Sequence, residues 1–160
     1  MSGAVTAAAV ATGLACALVG GVFFAFSSFV MPALGRLPVS QGIAAMQSIN
    51  RAAITPAFMA VLFGTALACA AMAAWAVASW GEDAAVWVVA GSALYLIGTI
   101  GLTIAYHVPR NEALATVAPA DPDAASRWAR YLAEWTAWNH VRGAAALAAG
   151  AALVVAAQVG

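Results

Sequence analysis

The chain has 160 residues, enough for a single domain, and its composition excludes most soluble protein classes. Hydrophobic residues make up 65% and charged residues 8%, whereas a soluble domain carries about 25% charged residues. Six basic and six acidic residues balance to zero, which argues against a nucleic-acid partner because such binding needs a basic field. Two Cys residues are too few for a disulfide scaffold and lack zinc or redox spacing. The composition predicts an integral membrane protein.

Four apolar runs are long enough to cross a bilayer as helices, which takes about 20 residues each. They cover residues 4–31, 54–80, 84–106 and 143–159. Because they lack the polar and apolar alternation of barrel strands, we expect helices. The first run has no basic flank and is longer than the apolar part of a signal peptide, so we expect it to remain as a membrane helix.

The first two connections differ in length. Residues 32–53 form a medium loop in which residues 41–53 are expected to form a short amphipathic helix. Residues 81–83 form a tight turn that carries Glu82 and Asp83.

The third connection, residues 107–142, is the longest polar segment, and three prolines are expected to break it: Pro109, Pro119 and Pro122. Asp123 is predicted to cap a helix that begins near Ala124 and continues into the fourth apolar run. We therefore predict one integral membrane domain over residues 1–160, an all-α bundle of four transmembrane helices. These would span about 4–31, 54–80, 84–106 and 124–159, with the first part of the long fourth helix outside the bilayer in the cytoplasm.

The arginines predict the orientation. Four crossings place both termini and the 81–83 turn on one side of the membrane, and the first and third connections on the other. All six basic residues lie in these two connections or at their edge: Arg36, Arg51, Arg110, Arg127, Arg130 and Arg142. The positive-inside rule makes that side cytoplasmic, with both termini outside an inner (plasma) membrane.

Small residues are expected to pack the bundle. On the first helix they recur every four positions, at Gly13, Ala17, Gly21 and Ala25. Cys16 and Cys69 lie in mid-helix among apolar residues, where a thiol behaves as a small inert hydrophobe.

Polar residues crowd the predicted cytoplasmic ends of the helices. No Asp, Glu, Lys, Arg or His lies in the centre of an apolar run. This argues against a proton-coupled transporter, because such proteins place an ionisable residue at membrane depth. At 100° per residue, one narrow stripe of the fourth helix carries Trp128, Tyr131, Trp135, Asn139 and Arg142. His140 points away from that stripe.

Interfacial anchoring explains Trp80, Trp87 and Trp128, but it explains the three Asn residues poorly, since amides gain little from the interface. Asn50, Asn111 and Asn139, with His107 and His140, therefore predict a polar pocket. Two alternatives stay open: one haem between the two histidines, or a metal ion held by them with Glu112 or Glu134, although the spacing matches no ligand motif.

Four segments carry a family resemblance. They are residues 21–34 (GVFFAFSSFVMPAL), 46–50 (MQSIN), 108–114 (VPRNEAL) and 135–142 (WTAWNHVR). In this order they resemble the anthrone-oxygenase-like family of small four-helix membrane proteins. The resemblance implies an O₂-dependent oxidation of an activated methylene in a polyketide anthrone to a quinone, with no flavin, metal or other cofactor. It implies site residues at Asn50, His107, Asn111, Trp135, Asn139, His140 and Arg142.

The chemistry of these residues suits that reaction. We assign catalytic roles to His107, His140 and Arg142, since a histidine suits the base and an arginine the oxyanion. Substrate binding is assigned to five residues: Asn50, Asn111, Trp135, Trp138 and Asn139. The expected partners are a hydrophobic aromatic substrate, O₂ and membrane lipid, and a homo-oligomer is left open.

The alternative function is a non-catalytic membrane protein that binds a lipid or a small hydrophobic ligand, or that serves as an assembly partner. A polar cluster in which the Asn residues bond to one another across helices, leaving no cavity, would favour it.

Overall fold

In the computed structural model, residues 1–118 and 121–160 are described, and over these residues the chain forms five helices. They are α1 (Gly3–Gly35), α2 (Val39–Ala52), α3 (Pro56–Ala78), α4 (Asp83–Ala115) and α5 (Ala124–Val159). All except α2 are long and apolar enough to cross a membrane. The predicted four-span, all-α membrane bundle is confirmed, including the long last helix. Pro119 lies outside the described residues.

Two helices run further than predicted because they continue through prolines. Pro32 lies inside α1 and Pro109 inside α4. A proline normally breaks a helix, since its ring clashes with the carbonyl four residues earlier. Here a wider π-helical stretch, Phe26–Val30 or Thr103–His107, precedes each one and bonds five residues back. The expectation that Pro109 breaks the chain is therefore wrong.

The start of α5 also differs in detail from the prediction. Asp123 occupies the N-cap position, but its side chain makes no capping hydrogen bond. Instead, the Asp121 carboxylate accepts the Asp123 backbone N–H at 2.9 Å and pairs with Arg127 at 3.2 Å. The turn before the helix is thus organised by Asp121.

The short helix α2 is amphipathic, as predicted, and it covers the end of the bundle where the arginines lie. Its buried face carries Ile43 and Met46. Gly42 allows this close approach, since a Cβ there would lie 2.9 Å from the Trp128 ring. Gln47 donates two hydrogen bonds to the end of α4, one to the carbonyl of Leu114 in its last turn at 2.9 Å and one to the carbonyl of Val117 just after it at 3.1 Å.

The last helix, α5, lies between α1 and α4 and packs closely against both. A Cβ at Gly150 would lie 2.8 Å from the Gly13 carbonyl oxygen, so the α1–α5 crossing depends on glycine there. The predicted small-residue stripe is wrong in one position. Gly20 faces Leu147 of α5, whereas Gly21 is exposed and has nothing near it.

Two cores fill the bundle. One lies within the membrane helices and includes Cys16 and Cys69, whose sulfurs are 3.7 Å apart and fully buried. The other is rich in aromatic residues and lies beneath α2. At the opposite end of the bundle, the Met1 ammonium contacts the Glu82 carboxylate at 3.1 Å and the Gly160 carbonyl at 2.8 Å. The two cores thus lie at different depths of the bundle, the first between the membrane helices and the second beneath α2 at the arginine end.

Candidate functional site

The predicted stripe of α5 forms its buried face at the arginine end of the bundle. Its members are all buried: Trp128, Tyr131, Trp135, Asn139 and Arg142. The rings stack along the helix, Trp128 on Tyr131 at 5.8 Å and Tyr131 on Trp135 at 6.2 Å between centroids. The three stacked rings thus form a continuous row along α5, from the residues beneath α2 towards Arg142.

Arg142 is a buried cation packed among three helices. Its Nε donates to Asn139 Oδ1 at 2.8 Å, and its Nη1 donates to Thr103 Oγ1 at 3.1 Å. The guanidinium lies 3.9 Å from the centre of the Phe23 ring. Among the described residues no carboxylate pairs with it. A buried charge without a partner is costly, so this position favours an incoming negative oxygen.

Asn139 fixes that guanidinium and ties α5 to α1. Its side chain is fully buried. The amide nitrogen donates to the Phe23 carbonyl at 2.7 Å and to Ser27 Oγ at 2.6 Å, while the amide oxygen accepts from Arg142. Every polar atom of this side chain is engaged within the protein.

His107 lies at the end of the π-helical stretch Thr103–His107 and is 1% exposed. Its ring stands edge-on to Trp135, with 5.1 Å between centroids, and 5.5 Å from the Tyr106 ring. Among the described residues neither ring nitrogen makes a hydrogen bond of good geometry, although the Trp138 backbone lies close enough to bond to the ring. Buried polar atoms are nearly always bonded, so the nitrogen that the Trp138 backbone does not engage is open to a ligand or a water.

Two asparagines lie beside the rings of Tyr131 and Trp135. Asn111 Oδ1 accepts from the Tyr131 hydroxyl at 2.8 Å and from Trp135 Nε1 at 2.9 Å. Asn50, in the last turn of α2, lies within reach of the Tyr131 hydroxyl, and among the described residues its buried amide nitrogen makes no hydrogen bond of good geometry. His107, Asn111, Trp135 and Asn50 therefore form one cluster, which we call the His107 cluster.

Trp138 lies outside the His107 cluster. It is 41% exposed and packs on the Tyr106 ring at 5.0 Å. Arg110 covers the Tyr106 ring at 3.3 Å and pairs with Glu134 at 3.3 Å. This arrangement resembles an interfacial aromatic anchor more than a substrate wall.

His140 is exposed and lies about 140° around α5 from Trp135 at 100° per residue. The structure therefore does not bring the two histidines together, and one haem cannot be ligated by both. Within residues 1–118 and 121–160, no three His, Cys, Asp or Glu side chains gather closely enough to hold a metal ion.

The comparison with known families bears directly on this region. Residues 55–152, which are 98 of the 160 residues, match the family described as anthrone oxygenase. The chain belongs to the anthrone oxygenase family. No match was found among curated proteins or among solved structures. The matched span contains His107, Asn111, Trp135, Asn139 and Arg142, and Asn50 lies outside it.

Three polar residues of this anthrone oxygenase family member were not among the predicted site residues. The Ser27 hydroxyl accepts a hydrogen bond from the Asn139 amide, and the Thr103 hydroxyl accepts one from the Arg142 guanidinium. The Thr99 hydroxyl donates to the Arg142 carbonyl at 3.1 Å. Each is a hydroxyl within an apolar run, and that is the signal that could have pointed to them.

Proposed function

We propose that the protein is a membrane enzyme that uses O₂ to oxidise the activated methylene of a hydrophobic, anthrone-like aromatic molecule to a quinone carbonyl. One observation carries the proposal. A buried histidine and a buried cation to which no described carboxylate is paired both lie against the same ring. The centroid of Trp135 is 5.1 Å from the His107 ring and 5.2 Å from the Arg142 guanidinium carbon.

His107 takes the first step as general base. The methylene of an anthrone is acidic because its carbanion is the anion of an aromatic phenol. An imidazole nitrogen that bonds to nothing else in the protein is available to accept that proton. Packing against Trp135 and Tyr106 holds the ring in place before the substrate arrives.

Arg142 stabilises the oxygen on which the negative charge collects. Asn139 and Thr103 fix the guanidinium through Nε and Nη1, so its remaining N–H groups point in a defined direction. A fixed donor in a dry site stabilises developing charge more strongly than one in water. In the proposed reaction the Arg142 cation and the His107 imidazole act on different atoms of one substrate.

The substrate anion and O₂ complete the reaction without a further oxidant. The anion passes one electron to O₂, and the resulting radical and superoxide combine to form a C–O bond. The peroxide takes up a proton, the second methylene hydrogen leaves with hydroxide as water, and the O–O bond breaks. The sum converts CH₂ and O₂ into C=O and H₂O, which balances atoms and electrons.

A non-catalytic membrane protein is the second candidate, and one observation favours it. The Asn139 amide is fully bonded within the protein, and Asn111 Oδ1 accepts two hydrogen bonds. Cross-helix amides of this kind stabilise a bundle or a binding protein without any chemistry. This candidate does not explain why polar atoms of His107 and Asn50 are buried without a hydrogen bond of good geometry among the described residues.

Oxygen uptake with anthrone, measured on protein reconstituted in lipid vesicles, tests the proposal. We expect His107→Asn to lower the protein-dependent rate at least about 100-fold, the usual contribution of a general base. Arg142→Gln should lower it by about 100-fold or more, as for loss of an oxyanion donor. Arg130→Gln is the matched control, because Arg130 is an exposed arginine of the same helix.

The His140→Asn variant decides which histidine is the base. On this geometry, His107→Asn loses about 100-fold more activity than His140→Asn. Vesicles without protein give the background autoxidation of anthrone. Uptake that is equal in wild type, His107→Asn and Arg142→Gln, with unchanged helix content and melting, would exclude catalysis and leave the non-catalytic candidate.

A further inference from the structure

A cavity lies beside Asn139, and its walls include no member of the His107 cluster. It has a volume of about 130 Å³ and lies between α1 and α5. Its walls include Phe24, Ser27, Asn139, His140, Gly143 and Leu147. Phe24 and Leu147 are 61% and 43% exposed on the outside of the bundle, so the cavity is reached from the bilayer.

The cavity contains one buried hydroxyl with a proton to donate. Ser27 is 4% exposed, and its Oγ accepts from Asn139 Nδ2 at 2.6 Å. In the part of the chain that the structure describes, Ser27 donates to no acceptor. Its proton is therefore left for a molecule in the cavity.

The buried arginine strengthens this donor through Asn139. The Arg142 guanidinium donates to the Asn139 oxygen, and the Asn139 nitrogen donates to the Ser27 oxygen. Successive hydrogen bonds polarise one another, so the positive charge makes the Ser27 hydroxyl a better donor. At the rim, the exposed His140 imidazole offers a second polar group.

The size and walls of the cavity define its ligand. A closed cavity of about 150 Å³ in another protein accommodates benzene, so a cavity of about 130 Å³ that opens to the lipid holds at most one aromatic ring, with part of that ring extending outside its walls. Phe24, Leu147 and Gly143 offer carbon surface, which favours an uncharged ring. Ser27 favours an oxygen acceptor on that ring.

We propose that the cavity between α1 and α5 binds a single aromatic ring with a carbonyl or phenolic oxygen, which arrives from the lipid and accepts a hydrogen bond from Ser27. The site is separate from the His107 cluster, and its occupation requires no turnover. Binding at this site can therefore be tested independently of the proposed oxidation.

Fluorine NMR titration of the protein in lipid nanodiscs tests this site with two probes of similar size. 4-Fluoroacetophenone carries a carbonyl, and 4-fluorotoluene does not. We expect saturable binding of the ketone, and Ser27→Ala should weaken it about tenfold, equivalent to 1.4 kcal/mol, while the affinity for the toluene stays within about twofold.

Two further variants separate the cavity from general partitioning into lipid. Ala144→Leu fills the cavity from its lipid-facing rim and should abolish binding of both probes. Ala148→Leu, one turn along on the same exposed face and outside the cavity walls, should change neither. Empty nanodiscs provide the partitioning background.

Three results would overturn the inference. They are the absence of saturable ketone binding to the wild type, unchanged ketone affinity in Ser27→Ala, and unchanged binding in Ala144→Leu. Gel filtration and thermal melting of each variant establish that a loss of binding is not a loss of fold. Because Ala144 is exposed, its replacement tests the cavity even if Ser27→Ala proves unstable.

Discussion

Asn139 engages all its side-chain polar atoms and joins three parts of the site. It bonds the α1 backbone, a hydroxyl of α1 and the guanidinium of Arg142. If the amide were lost, Arg142 Nε would be buried without an acceptor. The orientation of the Arg142 cation and the strength of the Ser27 donor both depend on this residue.

We predict that Asn139→Leu, which is similar in volume, lowers the free energy of unfolding by about 2–3 kcal/mol. Neutral hydrogen bonds between membrane helices contribute about 0.6 kcal/mol on average, and a bond to a charged group contributes about 1.5–3 kcal/mol. The measurement is unfolding in mixed detergent micelles, followed by circular dichroism.

Gln158→Leu serves as the control for that prediction, since Gln158 is an exposed amide on the same helix. Its effect should stay within about 0.5 kcal/mol. Equal unfolding free energies for Asn139→Leu and Gln158→Leu would mean that the Asn139 bonds contribute nothing to stability.

Part of the site could be predicted from sequence, and the reason is periodicity. On α5 the aromatic, amide and guanidinium residues recur at helical spacing, so a rotation of 100° per residue placed Asn139 and Arg142 together and His140 apart. The partners on α1 and α4 could not be predicted in this way. Ser27 and Thr103 lie in runs that are apolar on every side, so nothing in the pattern says which side faces α5.

At the scale of elements, the crossing of α1 and α5 depends on which glycines face inward. Gly20 and Gly21 are neighbours, and composition alone cannot distinguish them because α1 is apolar all round. Only the packed structure shows that Gly20 meets α5 and Gly21 faces outward. The same limit concealed the contact between Cys16 and Cys69.

We predict opposite effects for two glycine-to-alanine changes. In Gly150→Ala the new Cβ would lie 2.8 Å from the Gly13 carbonyl oxygen, and such overpacking costs about 1–3 kcal/mol. In Gly21→Ala the Cβ meets nothing, so the change should stabilise by up to about 1 kcal/mol through helix propensity. Thermal melting in detergent distinguishes them, and a Gly150→Ala protein that melts at or above the wild-type temperature would refute the crossing.

At the scale of the whole molecule, the charges divide between two ends of the bundle. The end with Arg36 and Arg51 also carries α2, and the other end carries Met1 and Glu82. Four spans follow from length and hydropathy. The sides on which these ends lie follow from the positive-inside rule and remain a prediction.

Cysteine labelling tests that orientation. We expect Asp83→Cys to react with a membrane-impermeant maleimide in intact cells, and Ser40→Cys to react only after the membrane is opened. Both positions are exposed, and native Cys16 and Cys69 are fully buried, so the wild type should give little signal. The reverse labelling pattern would place the arginines outside.

The π-helical stretch Thr103–His107 has a consequence for how chains with this fold can diverge in length. A π turn accommodates one residue more than an α turn, so deleting one residue there would restore an ordinary α-helix. Everything beyond the deletion would keep nearly its present orientation, because the five residues of the π stretch turn the chain about as far as four α-helical residues at about 100° each. The four spans and their hydropathy would be unchanged, and Asn111 would still face Tyr131 and Trp135. A one-residue gap in an alignment at this point is thus compatible with the same site, whereas a one-residue gap in an ordinary α-helical stretch would rotate all that follows by about 100°.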